Sequence, residues 1–479
     1  MRKLTVWFVL LIFALTTVAT APAKPQPKPV SLVFTHVTVI DATGAAAKPD
    51  LTVVITGERI TEIGKAGKVR VPKDAQVIDA TGKFLIPGLW DMHIHWSQQD
   101  YLPLFIANGV TGARVMWGFP YHHEWKKEIQ SGNLLGLRLN IASAIVDGPK
   151  PIWRGSTGVG NEAEARQAVI KEKQGGADFI KVYSLLPRAA YFAIADEAKK
   201  QGLPFAGHVP EAIKAAEASD TGQKSIEHLT GVLLSCSRDE EAIRAEMLKA
   251  LAGGAGEPSA TRFRRLTVNV RAAQTYDQKK AAALFARFKK NGTWQSPTLT
   301  VLRSVTHLDD PNFTGDPRLK YMPPGLRNNW NPKNDARFKM YTAEDWAESR
   351  KVYAKYLEVT GAMQRAGVEL LAGTDVSNPY CFPGFSLHDE LALLVKAGFT
   401  PMEALQAATR NPAKYLGLLD SLGTVEQGKI ADLVLLEANP LAEISNTQKI
   451  HAVIVGGKLI PKSEIEAMLA KVEAIANSR

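Results

Sequence analysis

From about residue 89 to about residue 420 the chain repeats one rhythm: a short apolar run, a polar loop, then an amphipathic helix. Asp178–Tyr183 reads as a strand, Arg188–Gln201 as the helix after it, and Pro204–His208 as the next strand. Glu369–Asp375 followed by a helix over Leu387–Ala397 repeats the pattern. Strands that alternate with helices point to a parallel α/β architecture. Residues 30–88 and 421–462 read differently, as short strands broken by turns, with Val30–Ile40, Leu51–Ile55, Leu433–Leu436 and Ala452–Val455 the clearest. The two ends are therefore expected to build one small β-domain beside a barrel over 89–420, with 463–479 a final helix. Thr400-Pro401-Met402-Glu403 carries the chemistry of a capped helix start.

The first residues are expected to have a separate job. Arg2 and Lys3 precede an uncharged apolar run, Leu4–Val18, and Ala21-Pro22-Ala23 offers small residues for cleavage. That is the pattern of a signal peptide over 1–23, followed by a proline-rich linker over 24–29. The run is shorter than the roughly 20 apolar residues that span a bilayer. The expectation is an exported protein, periplasmic or secreted, with no membrane attachment after cleavage.

A net charge of +10 could indicate a nucleic-acid partner, but the basic residues are interspersed with acidic ones, as in Lys171-Glu172-Lys173. Arg262, Arg264 and Arg265 form the one tight cluster and read as a solvated helix face. No nucleic-acid motif is present. Two cysteines, Cys236 and Cys381, are too few for a disulfide framework and too distant for a cysteine-based zinc site. Two unpaired buried thiols are expected, with a single disulfide left open.

The strongest chemical signal is Ile86-Pro87-Gly88-Leu89-Trp90-Asp91-Met92-His93-Ile94-His95. On a strand, residues two apart share a face, so His93 and His95 project together with Asp91 behind them. Two adjacent imidazoles suit one divalent metal. Barrel active sites collect at the C-terminal ends of strands. Four further metal-type ligands end short apolar runs: Lys181, His208, His228 and Asp375. Each alone would be an ordinary polar contact; so many strand ends aimed at one barrel mouth form a site.

These residues resemble the amidohydrolase superfamily, in the branch similar to imidazolonepropionases and prolidase-type dipeptidases. The likeness runs from the opening strands through Pro87-Gly88 and His93-x-His95 to Gly423-Thr424-Val425-Glu426-Gln427-Gly428-Lys429-Ile430-Ala431-Asp432-Leu433, where such chains re-enter their β-domain. The resemblance implies a (β/α)8 TIM barrel with a small β-sandwich domain built from both ends, holding two divalent metal ions, commonly zinc. His93, His95 and Asp375 would hold one ion, His208 and His228 the other, and Lys181 matches the lysine that is carbamylated to bridge both. An ammonium cannot ligate a cation, whereas a carbamate offers two anionic oxygens. Water bridging two cations loses its proton near neutral pH. The implied reaction is attack of that hydroxide on an amide carbonyl, with Asp375 as general base and then acid.

Tyr183 should share the inward face of Lys181 and either binds substrate or packs in the barrel. Arg154, in a loop, is a candidate for a substrate carboxylate, and His388 a candidate pocket residue. His122-His123-Glu124 resembles a ligand cluster, but consecutive residues seldom converge on one ion. The stretch from His228 to Asp375 is longer than one strand and its helices need, so a lid-like insertion is expected around 232–350. Trp294–Leu299 should contain the seventh strand. The expected substrate is a small-molecule amide, a dipeptide or N-acyl amino acid; a cyclic amide is the alternative, and a non-catalytic binding scaffold is the alternative of another class. A homo-oligomer is compatible with the sequence.

Overall fold

The computed structural model describes residues 31–96, 98–254 and 257–478, so the expected signal-peptide and linker segments lie outside the described residues. Strands β1 (Leu32–Val39), β2 (Lys48–Thr56), β3 (Arg59–Lys65), β4 (Gln76–Asp79) and β5 (Phe84–Pro87) open the chain. The barrel strands are β6 (Leu89–Ile94), β7 (Val110–Val115), β8 (Arg138–Asp147), β10 (Phe179–Val182), β11 (Phe205–Gly207), β12 (Ser225–Glu227) and β13 (Trp294–Ser296), with the short β9 (Thr157–Gly158) beside β8. The chain closes with β14 (Leu433–Leu436), β15 (Ile450–Val455) and β16 (Lys458–Pro461).

The seven barrel strands pair in parallel and in chain order. Residues 369–376 close the ring. Leu370 bridges Gln295 of β13, Val376 bridges Ile94 of β6, and Met92 donates its N–H to Ala372 at 2.9 Å. The result is a (β/α)8 barrel. Its strands are buried on both faces, which is why β6 and β7 are wholly buried yet show no polar alternation beyond their functional residues.

The second sheet runs β16-β15-β14-β5-β1-β2-β3, with β4 also pairing β1. β14 pairs antiparallel to β5, so the two ends of the chain meet in the middle of this sheet. Its free edge bends round: Ile60 of β3 exchanges hydrogen bonds with Lys429 and Gly428 at 2.9 and 2.8 Å, just before β14. The sheet thereby wraps, sandwich-like, around Phe34, Val37, Val53, Ile60, Leu85 and Leu433.

Between β12 and the closing segment the chain is largely helical. Glu240–Ala252, Pro258–Arg262, Val268–Gln274 and Gln278–Asn291 are helices, and Phe263–Thr267 is a π-helical turn. After β13 come Leu299–Thr306, short turns, and the long helix Ala343–Arg365, whose start is fixed by reciprocal bonds between Thr342 and Asp345. The expected cap at Thr400 is present: Glu403 accepts from the Thr400 N–H at 2.8 Å and donates its own N–H to Thr400 Oγ1 at 3.2 Å. Cys236 and Cys381 are unpaired and buried. Among the described residues, no helix is long and apolar enough to cross a membrane.

Candidate active site

The C-terminal ends of the barrel strands converge on one cluster. His93 projects from β6 and His95 from just past its end, with their Nε2 atoms 3.3 Å apart. Asp375 Oδ1 lies 3.4 Å from His93 Nε2 and 3.0 Å from His95 Nε2, and Asp375 Oδ2 lies 3.8 Å from His228 Nε2. The donor atoms of His93, His228 and Asp375 all fall within 4.8 Å of one another. The His208 ring sits 5.1 Å from that of His228, and Lys181 is fully buried on the neighbouring β10.

Three of the four imidazoles are oriented through their other nitrogen. His93 Nδ1 bonds Glu227 Oε2 at 2.8 Å, His208 Nδ1 bonds Ser184 Oγ at 2.8 Å, and His228 Nδ1 bonds Thr298 Oγ1 at 2.6 Å. Outer partners of this kind fix the tautomer and ring direction of metal-binding histidines. Thr298 spends its own hydroxyl proton on Pro297 O at 2.7 Å, so His228 donates from Nδ1 and keeps a lone pair on Nε2. Burial, joined by the positive charge of Lys181, holds His93 and His208 well below the ordinary histidine range and His228 near about 4. Neutral imidazoles are the form that ligates a cation.

His93, His228 and Asp375 form a donor set that fits a divalent ion. The Lys181 ammonium is buried without a hydrogen-bond partner, and burial pulls its pKa down to about 8. An unpartnered buried amine is costly, and it stands where a bridging anion would be useful. Burial alone would raise the Asp375 pKa, but the surrounding His228, His95 and Lys181 lower it and keep it a carboxylate.

Backbone geometry aims these groups. His228, Thr298 and Asp375 have φ of 57°, 49° and 59°, in the left-handed region, a strain that clusters at functional sites. Asp91, behind the histidines as expected, accepts from the Thr374 N–H and hydroxyl at 3.0 and 2.6 Å, tying the closing segment to β6.

A cavity of about 360 Å³ opens above the cluster, lined by His95, His208, His228 and Asp375. Tyr183 lines it too: its ring stacks on His208 at 4.0 Å, and its hydroxyl accepts from Trp153 Nε1 at 2.8 Å.

Three readings from sequence need correction. Arg154 is exposed and does not line the cavity, because the loop turns it to solvent. His388 is buried away from the cavity, its ring bonded to Thr447 Oγ1 at 2.9 Å and Asn108 O at 3.1 Å, where it joins the barrel to the β-domain segment. Arg264 and Arg265 are not a solvated face; the π-helical turn carries both into the cavity wall. His122 is buried and bonds Trp96 O and the Phe119 N–H, so it belongs to no ligand cluster.

Sequence reasoning missed the group behind His93. Glu227 is fully buried and accepts two bonds of 2.8 Å from Arg114, itself fully buried and bonded to Ser225, Tyr415 and Met92 O. The available signal was an arginine inside an otherwise apolar strand, since a buried charge demands a partner.

Fold and site together define a barrel with a His-His-Asp cluster at its strand ends, and residues 105–460 match the amidohydrolase family. The chain belongs to that family. Ochratoxinase from Aspergillus niger is 36% identical over 121 residues, a stretch covering 24% of this chain and 24% of that relative. The match thus spans about a quarter of the curated relative's length. Bottromycin amidohydrolase shares the fold with a TM-score of 0.74 at 22% identity, covering 94% of this chain and 91% of that one. A Xaa-Pro dipeptidase with bound methionine superimposes with a TM-score of 0.63 at 20% identity, covering 90% of this chain and 100% of its own.

Proposed function

We propose that this chain is an exported, binuclear metal-dependent amidohydrolase that cleaves the amide of a dipeptide or N-acyl amino acid. The class, a hydrolase acting on carbon–nitrogen bonds, follows from the family. The observation that carries the reading is the convergence of His93, His95, His208, His228, Asp375 and the unpartnered Lys181 at one barrel mouth. His93, His95 and Asp375 would hold one ion, and His208 and His228 the other. Lys181 would bridge them once its neutral amine adds CO2 to give a carbamate and a proton; burial favours the neutral amine. Export rests on the pattern from Arg2 to Ala23.

Bound divalent ions, zinc being the expected pair, would supply Lewis acidity and a water acidic enough to ionise near pH 7. The chain's own residues do the rest. Asp375 takes the proton of the attacking water and returns it to the leaving nitrogen. Glu227 and Thr298 hold the rings of His93 and His228 while this happens.

The test is metal content per chain after loading with zinc and bicarbonate, alongside amino-acid release from a panel of dipeptides and N-acyl amino acids. Two ions with turnover are expected, and carbon-13-labelled bicarbonate should give a carbamate resonance that Lys181→Ala lacks. Asp375→Asn should keep most of the metal and lose about 10²- to 10⁴-fold in kcat. No tightly bound metal, or near-normal rates in Asp375→Asn, would overturn the reading.

A further inference from the structure

The insertion after β12 brings three guanidinium groups to the cavity: Arg264, Arg265 and Arg337. Two are already paired. Arg264 Nη1 reaches Glu211 Oε1 at 3.1 Å, and Arg337 is gripped by Asp335 through bonds of 2.7 to 3.0 Å. Arg265 differs. Among the described residues no carboxylate pairs with it, and its charge instead faces the ring of Phe338 at 5.4 Å. The same ring faces Arg337 at 5.2 Å, so two cations share one aromatic side chain. Burial, reinforced by repulsion from Arg337 and Arg264, pushes the Arg265 guanidinium down to about 10.

A partly buried cation repelled by its neighbours is destabilising unless something offsets it. The device that places it is specific: Arg264 and Arg265 are carried by the π-helical turn Phe263–Thr267, and such turns concentrate at functional sites. Tyr183 connects this cluster to the metal-ligand cluster. Its ring stacks on His208, and the charges of Arg264 and Arg265 bear on its hydroxyl. Three cations set against the carboxylates of Glu211 and Asp335 leave one positive charge over, which matches a monoanion better than a phosphate dianion. Much of the remaining wall is apolar, with Leu234, Val268, Val301 and Val352 prominent.

We infer that Arg265, flanked by Arg264 and Arg337, is the subsite for a free carboxylate on the substrate, selecting N-acyl amino acids and dipeptides with an unblocked C-terminus and an apolar side chain. The inference rests on the amide-hydrolase reading for its chemistry but not for its binding. Guanidinium donors match a carboxylate bidentately, and a neutral carboxamide cannot replace that pairing.

The experiment titrates N-acetyl-L-leucine and N-acetyl-L-leucinamide into metal-loaded Asp375→Asn protein by calorimetry, so that turnover does not interfere. The free acid should bind about ten- to a hundredfold more tightly than the amide. Arg265→Gln should bring that ratio close to one, and Arg265→Lys should restore part of it. Equal binding of the two ligands, undetectable binding of both at millimolar concentration, or a ratio that survives Arg265→Gln overturns the subsite. If Arg265→Gln misfolds, the acid-to-amide ratio of the Arg265 protein and the Arg265→Lys variant still decide. Should the metal-loaded natural chain hydrolyse no amide while the acid preference persists, the hydrolase reading falls and the subsite stands. Turnover without preference for the free acid gives the reverse.

Discussion

Glu227 sits inside the barrel with no access to solvent, between the guanidinium of Arg114 and the imidazole of His93. Ser225 donates a fourth bond to it at 2.5 Å. Removing one partner of a buried ion pair costs about 3–5 kcal/mol, because the other charge is left uncompensated. Glu227→Gln should therefore lower unfolding stability in urea by a few kcal/mol and weaken metal binding by about 10- to 100-fold. Metal titration with a competing chelator checks the second effect, and unchanged affinity would remove Glu227 from the support of the site. At this scale the sequence was half legible. The proposed ligands His93, His95, Lys181, His208, His228 and Asp375 stood out because each lies at or near the end of a short apolar run. Arg114 and Glu227 did not, because their partnership is made across the barrel rather than along the chain. Arg264 and Arg265 misled for a related reason: a run of arginines on a polar helix reads as solvated until tertiary structure covers it.

The elements that deliver these side chains are short strands whose last residue turns sharply. Gly207 shows how tight the fit is. Its φ is +140°, and a Cβ added there would lie 2.1 Å from Val182 O and 3.1 Å from Lys181 Cδ. Gly207→Ala would push β11 away from β10 just where Lys181 and His208 must face each other. A loss of about 2–4 kcal/mol in stability is expected, with reduced metal stoichiometry, measurable by denaturant unfolding and metal analysis. A stable variant with full metal content would show that the barrel gives more readily than this spacing suggests. The alternation of strand and helix was plain in the sequence, but Glu369–Asp375 was expected as a regular strand and is joined to its neighbours by isolated bridges instead. The cause lies in Gly373 and Asp375. A Cβ on Gly373 would meet Ser296 Oγ at 2.8 Å and the His93 N at 3.0 Å, and the left-handed φ of Asp375 takes the chain out of the ladder to aim the carboxylate.

For the molecule as a whole, His388 makes stability depend on pH. It is fully enclosed and neutral, and burial lowers its pKa to about 4 from the ordinary 6.5. Asp389, Arg318 and the Asn108 carbonyl are the other groups acting on it, and Thr447 completes its contacts. Between pH 6.5 and pH 4 the unfolded chain binds a proton that the folded chain refuses. Stability is therefore full above about pH 6.5 and is lost as the pH falls, by on the order of 3 kcal/mol from this group. His388→Gln should be less stable at neutral pH yet show a shallower acid slope, read from urea midpoints at pH 4.5 and 7. Parallel slopes in the two proteins would assign the acid sensitivity elsewhere. The sequence placed this histidine in the pocket because it follows the last barrel strand; what it could not show is that Thr447, from a distant stretch of chain, comes to meet it.

The central seam of the smaller sheet, where β14 pairs with β5, has a consequence for how the chain acquires its shape. β5 pairs with β1 early, but β14 is made only after the whole barrel has been synthesised, so the other edge of Phe84–Pro87 waits for its neighbour through most of translation. Long-range pairing of this kind is slow and leaves a sticky margin exposed meanwhile. A ribosome stalled between Pro87 and Leu433 would present that margin to other nascent chains, and premature termination there should yield aggregates rather than a free barrel.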